Sequence, residues 1–439
     1  MPCGTEVTMK IIALTKESKD ELLRTLAMRS TDSFAKQQAA VDEIVRYVRE
    51  RGDASVFEYT EKFDGVTMSP DNLWVTKEEI DAAYAAIDPE LLAVIRESAA
   101  NIRDFHMRQR RNSWFDTKDG IVLGQRVTPI AKVGVYVPGG TAVLSSSVLM
   151  NIIPAKVAGV PEIIMATPPQ KSGSLNATSV VAAVEAGVDR IIKVGGAQAI
   201  AALAYGTESI PRMDKIVGPG NIYVALAKKA VYGSVGIDSI AGPSEILVLA
   251  DETATPKYVA ADLLSQAEHD AMASAILVTT SRELAEKVSA EVDRMTQTLS
   301  RRDVIVRSLE NYGRIFVADS MYSAIDAAND IASEHLEILT KDPWDTMTRI
   351  RNAGAIFLGE YSSEPLGDYF AGPDHILPTN GTARFFSPLS VDDFIKKSSV
   401  ICYTREALQP VYKKVVTFAE AEGLTAHANS IKVRFESEQ

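Results

Sequence analysis

Residues 133–159 read VGVYVPGGTAVLSSSVLMNIIPAKVAG, and this stretch gives the strongest indication of the fold class. A short β-branched run passes through adjacent glycines into an apolar stretch of helix length, which is the pattern of a strand, a tight turn and a buried helix. The same order recurs in VGGAQAIAALAYG at residues 194–206 and KIVGPGNIYVALAKKAVYG at residues 215–233. Because such alternation packs helices against parallel strands, the pattern predicts an α/β protein with parallel sheets.

Strands and helices are predicted outward from these blocks. The predicted strands are 133–137, 162–167, 190–194, 215–217, 245–250, 275–279 and 336–339. The first 110 or so residues have helical spacing instead. Their predicted helix signals are a stop at Arg51-Gly52, a cap at Asp53, a capping box of Thr76 with Glu79, and a long helix begun by Asp88-Pro89. After residue 388 the pattern is again helical, at 391–396 and 405–422.

Composition and charge exclude several classes of protein. The chain has 439 residues, of which 46% are hydrophobic, and its formal charge of −12 disfavours nucleic acid and anionic membrane surfaces as partners. No segment has the length of a signal peptide core or a membrane helix, so we expect a cytoplasmic protein. The two cysteines, Cys3 and Cys402, allow neither a disulfide framework nor a thiolate metal cluster. Met9 is an alternative start, in which case residues 1–8 are dispensable.

The glycine-rich turns have two interpretations. Glycine lets a backbone approach a phosphate closely, and the helix that follows presents free N–H groups, so these turns suit a nucleotide. However, neither turn completes GxGxxG, since Gly218-Pro219-Gly220 is followed by Asn221, Ile222 and Tyr223. Ordinary turns between strands and helices also use glycine for packing, and the turns alone leave both interpretations open.

Histidine is scarce, with five in the chain, so the neighbours of each are informative. Gln266 and His269 lie three residues apart near the end of a helix predicted to start at Thr255-Pro256, so both can bind one metal ion, or they form an ordinary polar helix end. Glu334 and His335 lie at a break between a helix and a strand. A carboxylate and an imidazole there can each carry out one of two proton transfers, one with water and one with an alcohol. However, Glu-His is a common dipeptide, so a structural role stays open.

Two further segments carry oxygen and nitrogen donors. The loop LGDYFAGPDHILPTNGTARFF at residues 366–386 contains Asp368, Asp374 and His375, while Glu422 and His427 follow the last predicted long helix. Donors of these types without cysteine suit zinc, manganese or a similar ion. His106 lies on the apolar stripe of its helix, so we interpret it as a packed side chain rather than a ligand. Nothing in the sequence alone shows that these segments meet in space.

Ten blocks in their order along almost the whole chain carry a resemblance. They are the block at residues 133–160 together with VGGAQAIAALAYGT, DKIVGPGN, IAGPSEILVLAD, LLSQAEHD, SEHLEI, NAGAIFLG, GDYFAGPDHILPT, LSVDDF and AEGLTAHANSI. With these blocks the chain resembles the histidinol dehydrogenase family.

The resemblance implies an NAD-linked, zinc-dependent enzyme that oxidises L-histidinol through L-histidinaldehyde to L-histidine, the last step of histidine biosynthesis. It implies one zinc ion per subunit, with Gln266, His269, Asp368 and His427 as ligands. In the family the last ligand comes from the other subunit of an intertwined homodimer with shared active sites.

The resemblance also assigns roles to individual residues. His335 is implied as the general base and Glu334 as the group that activates water. The implied contacts to NAD are Tyr136, Gln198 and Asn221. The implied contacts to the substrate are Ser244, Gln266, His269, His335, Asp368, His375, Glu422 and His427. Neither cysteine lies at a motif position, so a thioester route has no nucleophile.

For the architecture, the resemblance implies two incomplete Rossmann-like αβα domains with parallel sheets, plus an N-terminal arm and a small helical C-terminal domain. The expected boundaries are 1–30 for the arm, 31–131 with 245–385 for a first domain holding the zinc and catalytic groups, 132–244 for an inserted NAD domain, and 386–439 for a segment packing on the partner subunit.

Three alternative functions remain to be compared. Members of the family that oxidise small sulfonated diols keep the zinc and the catalytic groups but replace the residues that meet the imidazole and the amine. A non-catalytic relative would lack Glu334, His335 or a metal ligand, and all are present here. A metal-dependent hydrolase could use the same groups, but the two glycine-rich turns favour a dinucleotide.

Overall fold

The computed structural model describes residues 9–29, 34–139 and 144–436. The chain divides into two compact units, Met1–Gln109 with Ile130–Phe394 and Arg110–Pro129 with Ile395–Gln439. Cys3, the proposed dispensable residues 1–8, and the second half of the first glycine turn lie outside the described residues.

The bounds of the strands and helices in the described part of the chain are as follows. The strands are β1 Ile11–Ala13, β2 Trp114–Lys118, β3 Ile121–Pro129, β4 Lys132–Tyr136, β5 Glu162–Ala166, β6 Arg190–Ile192, β7 Lys215–Val217, β8 Gly236–Ile237, β9 Glu245–Ala250, β10 Ser274–Thr279, β11 Arg314–Val317, β12 His335–Leu339, β13 Ala355–Leu358 and β14 Ile395–Tyr403. The helices are α1 Lys16–Ala27, α2 Ala35–Arg51, α3 Asp53–Asp64, α4 Lys77–Ala86, α5 Pro89–Met107, α6 Ser145–Ala158, α7 Ala177–Ala186, α8 Gly196–Tyr205, α9 Ile222–Val231, α10 Pro256–Ala267, α11 Arg282–Thr296, α12 Arg302–Tyr312, α13 Met321–Ile331, α14 Pro343–Met347, α15 Glu364–Tyr369, α16 Arg405–Leu408, α17 Tyr412–Ala421 and α18 Thr425–Lys432.

The first unit contains a six-stranded parallel sheet in the order β1-β11-β10-β9-β12-β13. Alternate residues of its strands point to opposite faces, so Ile246 and Val248 pack against α10, α11 and α12, while Leu247 and Leu249 pack against α1 and α13. The layers are therefore helix, sheet and helix. The edge strand β1 comes from the segment that the sequence assigned to an N-terminal arm.

The first unit also contains a five-stranded parallel sheet in the order β6-β5-β4-β7-β8. Its chain runs outward from β4 and then returns to the other side of β4, which is the Rossmann order without its sixth strand. The six-stranded sheet repeats this order from β9, with β1 added at one edge. The predicted fold class, two incomplete Rossmann-like αβα domains, is confirmed.

Helices α2 to α5 differ in their position from the prediction. Apolar side chains of α2 and α3 pack with α8 and α9 on one face of the five-stranded sheet, and α4 and α5 pack with α6 and α7 on its other face. The sequence assigned residues 31–131 to the first αβα domain instead, because helix periodicity shows which side chains are buried but not which sheet buries them. The remaining domain boundaries stay a prediction.

The second unit contains an antiparallel sheet of β2, β3 and β14, followed by α16, α17 and α18. Asp119 and Gly120, both with positive φ, form the two-residue turn between β2 and β3. The predicted helix at 391–396 is wrong, since a single 3₁₀ turn at Val391–Phe394 leads directly into β14. The predicted helix at 405–422 is interrupted at Pro410, which lacks the N–H that a helix interior needs.

Most helix signals of the first unit are confirmed. Thr76 and Glu79 form a capping box, and Asp88 caps α5 with Pro89 as the first helical residue. Asp53 is not a cap, because its carboxylate accepts hydrogen bonds from the backbone N–H and hydroxyl of Ser209. Among the described helices, none is long and apolar enough to cross a membrane.

Candidate active site

The Glu334–His335 pair lies where α13 passes into β12. Ala332 adopts a left-handed conformation with φ of 52° directly after α13, and this turn directs the chain into the strand. Both side chains then contact one residue of the neighbouring strand, Glu245. Its backbone N–H donates to Glu334 Oε2 at 2.9 Å, and its carbonyl accepts from His335 Nδ1 at 3.0 Å.

These hydrogen bonds determine which ring nitrogen of His335 is free. A carbonyl oxygen can only accept, so Nδ1 carries a proton, and in the neutral ring the lone pair lies on Nε2. Nε2 is buried, has no hydrogen-bond partner within the described part of the chain, and lies 3.8 Å from Asp368 Oδ1. In its neutral form the ring can therefore accept a proton at Nε2.

Burial and neighbouring carboxylates shift the acid–base behaviour of the pair. Burial raises the pKa of Glu334 to about 8 against the opposing effect of His335. Burial alone would lower the pKa of His335, but the charges of Glu334 and Asp368 outweigh it and raise that pKa to about 10. Two groups with strongly shifted pKa values in one buried site are typical of a site for proton transfer.

A set of metal donors lies beside the pair. One ligand atom each of His269, Glu364 and Asp368 lie within 4.8 Å of one another. Gln266 is fully buried on α10, and among the described residues neither atom of its amide has a hydrogen-bond partner. A buried amide without partners costs free energy unless a ligand satisfies it, so this donor set fits a bound divalent metal ion.

Glu364 was not among the residues picked from the sequence. It begins α15 and lies four residues before Asp368, so both side chains face the same side of this helix. Ser265 of α10 donates to its carboxylate at 2.7 Å, and Glu337 of β12 accepts from its backbone N–H at 2.8 Å. The spacing of Glu364 and Asp368 in SEPLGDY is the signal that could have identified it.

His375 and Ser244 lie close to this region. The ring of His375 donates from Nδ1 to the carbonyl of Asp368 at 2.9 Å, and its Nε2 lies 3.0 Å from the Ser147 hydroxyl of α6. Both ring nitrogens are thus engaged within the protein. Ser244 directly precedes β9. His335, Asp368 and His375 line a cavity of about 560 Å³, which is larger than a small amino alcohol needs.

The residues implied as NAD contacts belong to the turns of the five-stranded sheet. Tyr136 ends β4 and accepts a hydrogen bond from the Gly196 backbone at the start of α8. Gln198 of α8 is buried, and both of its amide atoms lack a partner in the region the structure describes. Asn221 caps α9 and is exposed. The unpartnered amide of Gln198 fits a polar cofactor at this edge.

Gly218, in the turn after β7, shows why the carboxyl edge of the five-stranded sheet needs glycine. Its φ is 117°, and a Cβ there would lie 2.0 Å from the Tyr136 carbonyl oxygen. Asp238 accepts from its N–H at 2.8 Å, and Lys228 donates to its carbonyl at 3.0 Å. The turn after β7 therefore has one tightly fixed backbone conformation.

The two remaining predicted site residues belong to the second unit. Glu422 follows α17 and His427 lies in α18, and both are exposed there. Cys402, in β14 of the same unit, is a free and exposed thiol. His106 of the first unit is fully buried and bonds Gln109, which confirms that it is a packed side chain.

Comparison with known proteins shows which family the chain is related to. A model of the histidinol dehydrogenase family matches residues 27–435. A histidinol dehydrogenase of Geobacillus kaustophilus is 61% identical over 401 residues, which cover 91% of this chain and 94% of that protein. The chain belongs to the histidinol dehydrogenase family. The enzyme of that name from Bacillus subtilis is 56% identical over 408 residues, covering 92% of this chain and 95% of that protein.

The fold agrees with a solved structure of the histidinol dehydrogenase family. The crystal structure of histidinol dehydrogenase from Elizabethkingia anophelis superimposes with a TM-score of 0.92 at 37% identity, covering 98% of this chain and 99% of that one. The family predicted from the ten sequence blocks is therefore confirmed. As a member, the chain is an NAD-linked oxidoreductase.

Proposed function

We propose that this chain oxidises L-histidinol to L-histidine in two NAD-linked steps, as the last reaction of histidine biosynthesis. The observation that carries the proposal is the Glu334–His335 pair, buried beside the metal donors and fixed by the backbone of Glu245. Relatives that are 53–61% identical are named for this activity. NAD, when bound, accepts one hydride in each step.

In the first oxidation His335 acts as the general base. Its unprotonated Nε2 takes the hydroxyl proton of the alcohol while the carbon gives up a hydride, so the alcohol loses two electrons and two hydrogens and becomes the aldehyde. The hydrogen bond from Nδ1–H to the Glu245 carbonyl keeps Nε2 available and stabilises the ring when it becomes charged.

In the second oxidation Glu334 takes a proton from water as the water oxygen bonds to the aldehyde carbon, and the protonated His335 returns its proton to the aldehyde oxygen. The resulting gem-diol then loses a hydroxyl proton to His335 and a hydride, which leaves the carboxylic acid. Burial favours the protonated form of Glu334, so its carboxylate is a stronger base than an exposed one. The overall change is the loss of four electrons from the alcohol with the uptake of one water molecule.

Gln266, His269 and Asp368 would hold a zinc ion, with His427 of the partner subunit as a further ligand. The ion would supply a Lewis acid that binds the imidazole and amino nitrogens of the substrate. Glu364 is a further carboxylate within reach of the same donors. Ser244, His375 and Glu422 would complete the contacts to the substrate, and Tyr136, Gln198 and Asn221 those to NAD.

The test is the number of NADH formed per L-histidinol consumed to completion. We expect two, with activity lost after treatment with a chelator and regained with zinc. Activity on a small sulfonated diol without activity on L-histidinol would support the alternative substrate, which the names of the relatives do not favour. Absence of any NADH formation alongside hydrolysis would support a hydrolase.

We further propose a cytoplasmic homodimer in which Glu422 and His427 complete the active site of the partner subunit. His427→Ala is then expected to lower the zinc content. In a heterodimer of His427→Ala and His335→Ala subunits, one of the two sites keeps both residues, so the expected activity is about half that of wild type. A heterodimer of His335→Ala and His269→Ala subunits is the control, since both residues belong to the same unit, and it should stay inactive. Equal inactivity of both heterodimers would contradict shared sites.

A further inference from the structure

Arg29 lies two residues beyond the end of α1, and its guanidinium group is fully buried. It forms an ion pair with the carboxylate of Glu245, whose side chain is 3% exposed. Arg29 also donates from Nη1 to the carbonyl of Met272 at 2.9 Å and from Nε to the carbonyl of Leu26 at 3.4 Å. Three acceptors from three segments therefore fix one guanidinium group.

Glu245 connects this ion pair to the Glu334–His335 pair. Its side chain is held by Arg29, while its N–H binds Glu334 and its carbonyl binds His335. Movement of this one residue would change both hydrogen bonds together. Strand β9 is central in its sheet, but Glu245 is its first residue: it is paired with Ser274 of β10, whereas the pairing with β12 starts only at Ile246.

We propose that Arg29 is a positioning residue for the reaction, acting through Glu245 to hold Glu334 and the ring of His335. The expected effect on kcat rests on the proposed function. The NMR signals of the His335 ring, by contrast, can be measured without turnover. Replacement of an ion pair buried to this extent by apolar groups often leaves stability unchanged, so stability alone does not explain a buried pair at this position.

The geometry of the guanidinium group explains why arginine is suited to this position. Arg29 presents separate N–H donors in one plane to the Glu245 carboxylate and to the Met272 carbonyl, which a single ammonium group cannot do at both distances. The Tyr312 ring lies 5.3 Å from the guanidinium carbon and closes its other side. Lysine would keep the charge and lose the second anchor.

The experiment compares three variants of the full-length protein. Arg29→Lys keeps the positive charge, and the double variant Arg29→Met with Glu245→Gln removes both charges, so that neither leaves an unpaired buried carboxylate. Lys19→Met is the matched control, since Lys19 lies in α1, ten residues before Arg29, and its ion pairs with Asp326 and Asp330 do not involve Glu245. Thermal unfolding, kcat, KM for NAD, and ¹⁵N NMR of histidine-labelled protein are measured for each.

The double variant is expected to unfold at the wild-type temperature but to lose about 10- to 100-fold in kcat, with KM for NAD unchanged. Arg29→Lys should show a smaller loss in kcat of the same kind, and the control should match wild type. In the NMR spectra, where five histidines give few signals, the ¹⁵N shifts of the His335 ring should differ from those of the wild type in both Arg29 variants.

Wild-type kcat together with an unchanged His335 signal in either folded Arg29 variant would overturn the proposal. If the double variant fails to fold, Arg29→Lys decides by the same criteria. If the wild-type protein does not oxidise L-histidinol, the proposed function fails, whereas the NMR comparison still tests whether Arg29 holds the ring.

Discussion

Replacing His335 with Asn is expected to lower kcat for L-histidinol by about 1,000-fold, the middle of the range for loss of a general base. Asparagine can keep one polar contact near Glu245 but offers no lone pair of comparable basicity at the position of Nε2. Both oxidations need this base, so conversion of L-histidinaldehyde should slow as well. Steady-state and single-turnover NADH formation from each substrate measure the two effects.

The pH dependence gives an independent check on this role. The base must be neutral, and neighbouring carboxylates raise its pKa from 6.5 to about 10 in the absence of a metal ion, so the wild-type rate should rise with pH. A cation held by Asp368 would disfavour the charged ring, which lowers the midpoint of the rise. His335→Asn should lack the rise. A variant that kept both wild-type kcat and the wild-type pH profile would exclude His335 as the base.

Much of the architecture follows from local patterns in the sequence. The runs that form β4, β5, β9 and β10 are continuous and apolar because both faces of each strand are covered, and this pattern is visible without any tertiary information. Capping boxes and a proline at the first helical position likewise act within one turn, and Thr76 and Asp88 were identified for this reason.

The structure differs from the sequence predictions where contacts between distant segments determine the position or type of an element. Helices α2 and α3 have ordinary amphipathic spacing, and only the fold determines that they pack beside α8 and α9. Strand β14 is mostly exposed and has the polar run KKSS at residues 396–399, so its pairing with β3 defines it as a strand. The hairpin of β2 and β3 was missed, although Asp119-Gly120 is a typical two-residue hairpin signal.

The candidate site shows the same division. Glu334, His335 and Asp368 stand out in the sequence because their titratable groups lie at a predicted break or in a predicted loop, although the structure places Asp368 in α15. Glu245 does not, since its contribution to the site comes from its backbone, and any residue offers the same N–H and carbonyl. Arg29 escapes notice for a related reason, because its partner is more than two hundred residues away in the chain.

In the two sheets of the first unit, the proposed functional groups lie at opposite ends of the strands. Glu245 and His335 begin β9 and β12, so the proposed catalytic groups lie at the amino ends of the six-stranded sheet, whereas the glycine turns follow the carboxyl ends of the five-stranded sheet. The hydrogen bond between Ser147, near the start of α6, and His375 joins these two edges. This connection would bring the proposed cofactor site at the carboxyl edge of one sheet next to the proposed substrate site at the amino edge of the other.

Replacing Glu334 with Gln is expected to separate the two oxidations. Glutamine keeps an oxygen that can accept from the Glu245 N–H, but it cannot take a proton from water, so only the attack on the aldehyde loses its base. The first oxidation should stay within about tenfold of wild type, while the second slows by about 100- to 1,000-fold. Product analysis should then give one NADH per L-histidinol instead of two, and bound aldehyde should accumulate.

The comparison with His335→Asn makes this result specific. His335→Asn should slow both oxidations, whereas Glu334→Gln should slow mainly the second, although the two residues are adjacent and both are buried. Supplying the hydrated aldehyde directly as substrate should bypass the need for Glu334 and restore NADH formation in Glu334→Gln. If that variant instead lost both oxidations equally, Glu334 would serve chiefly to hold the His335 ring, and the activation of water would have to be assigned to another group.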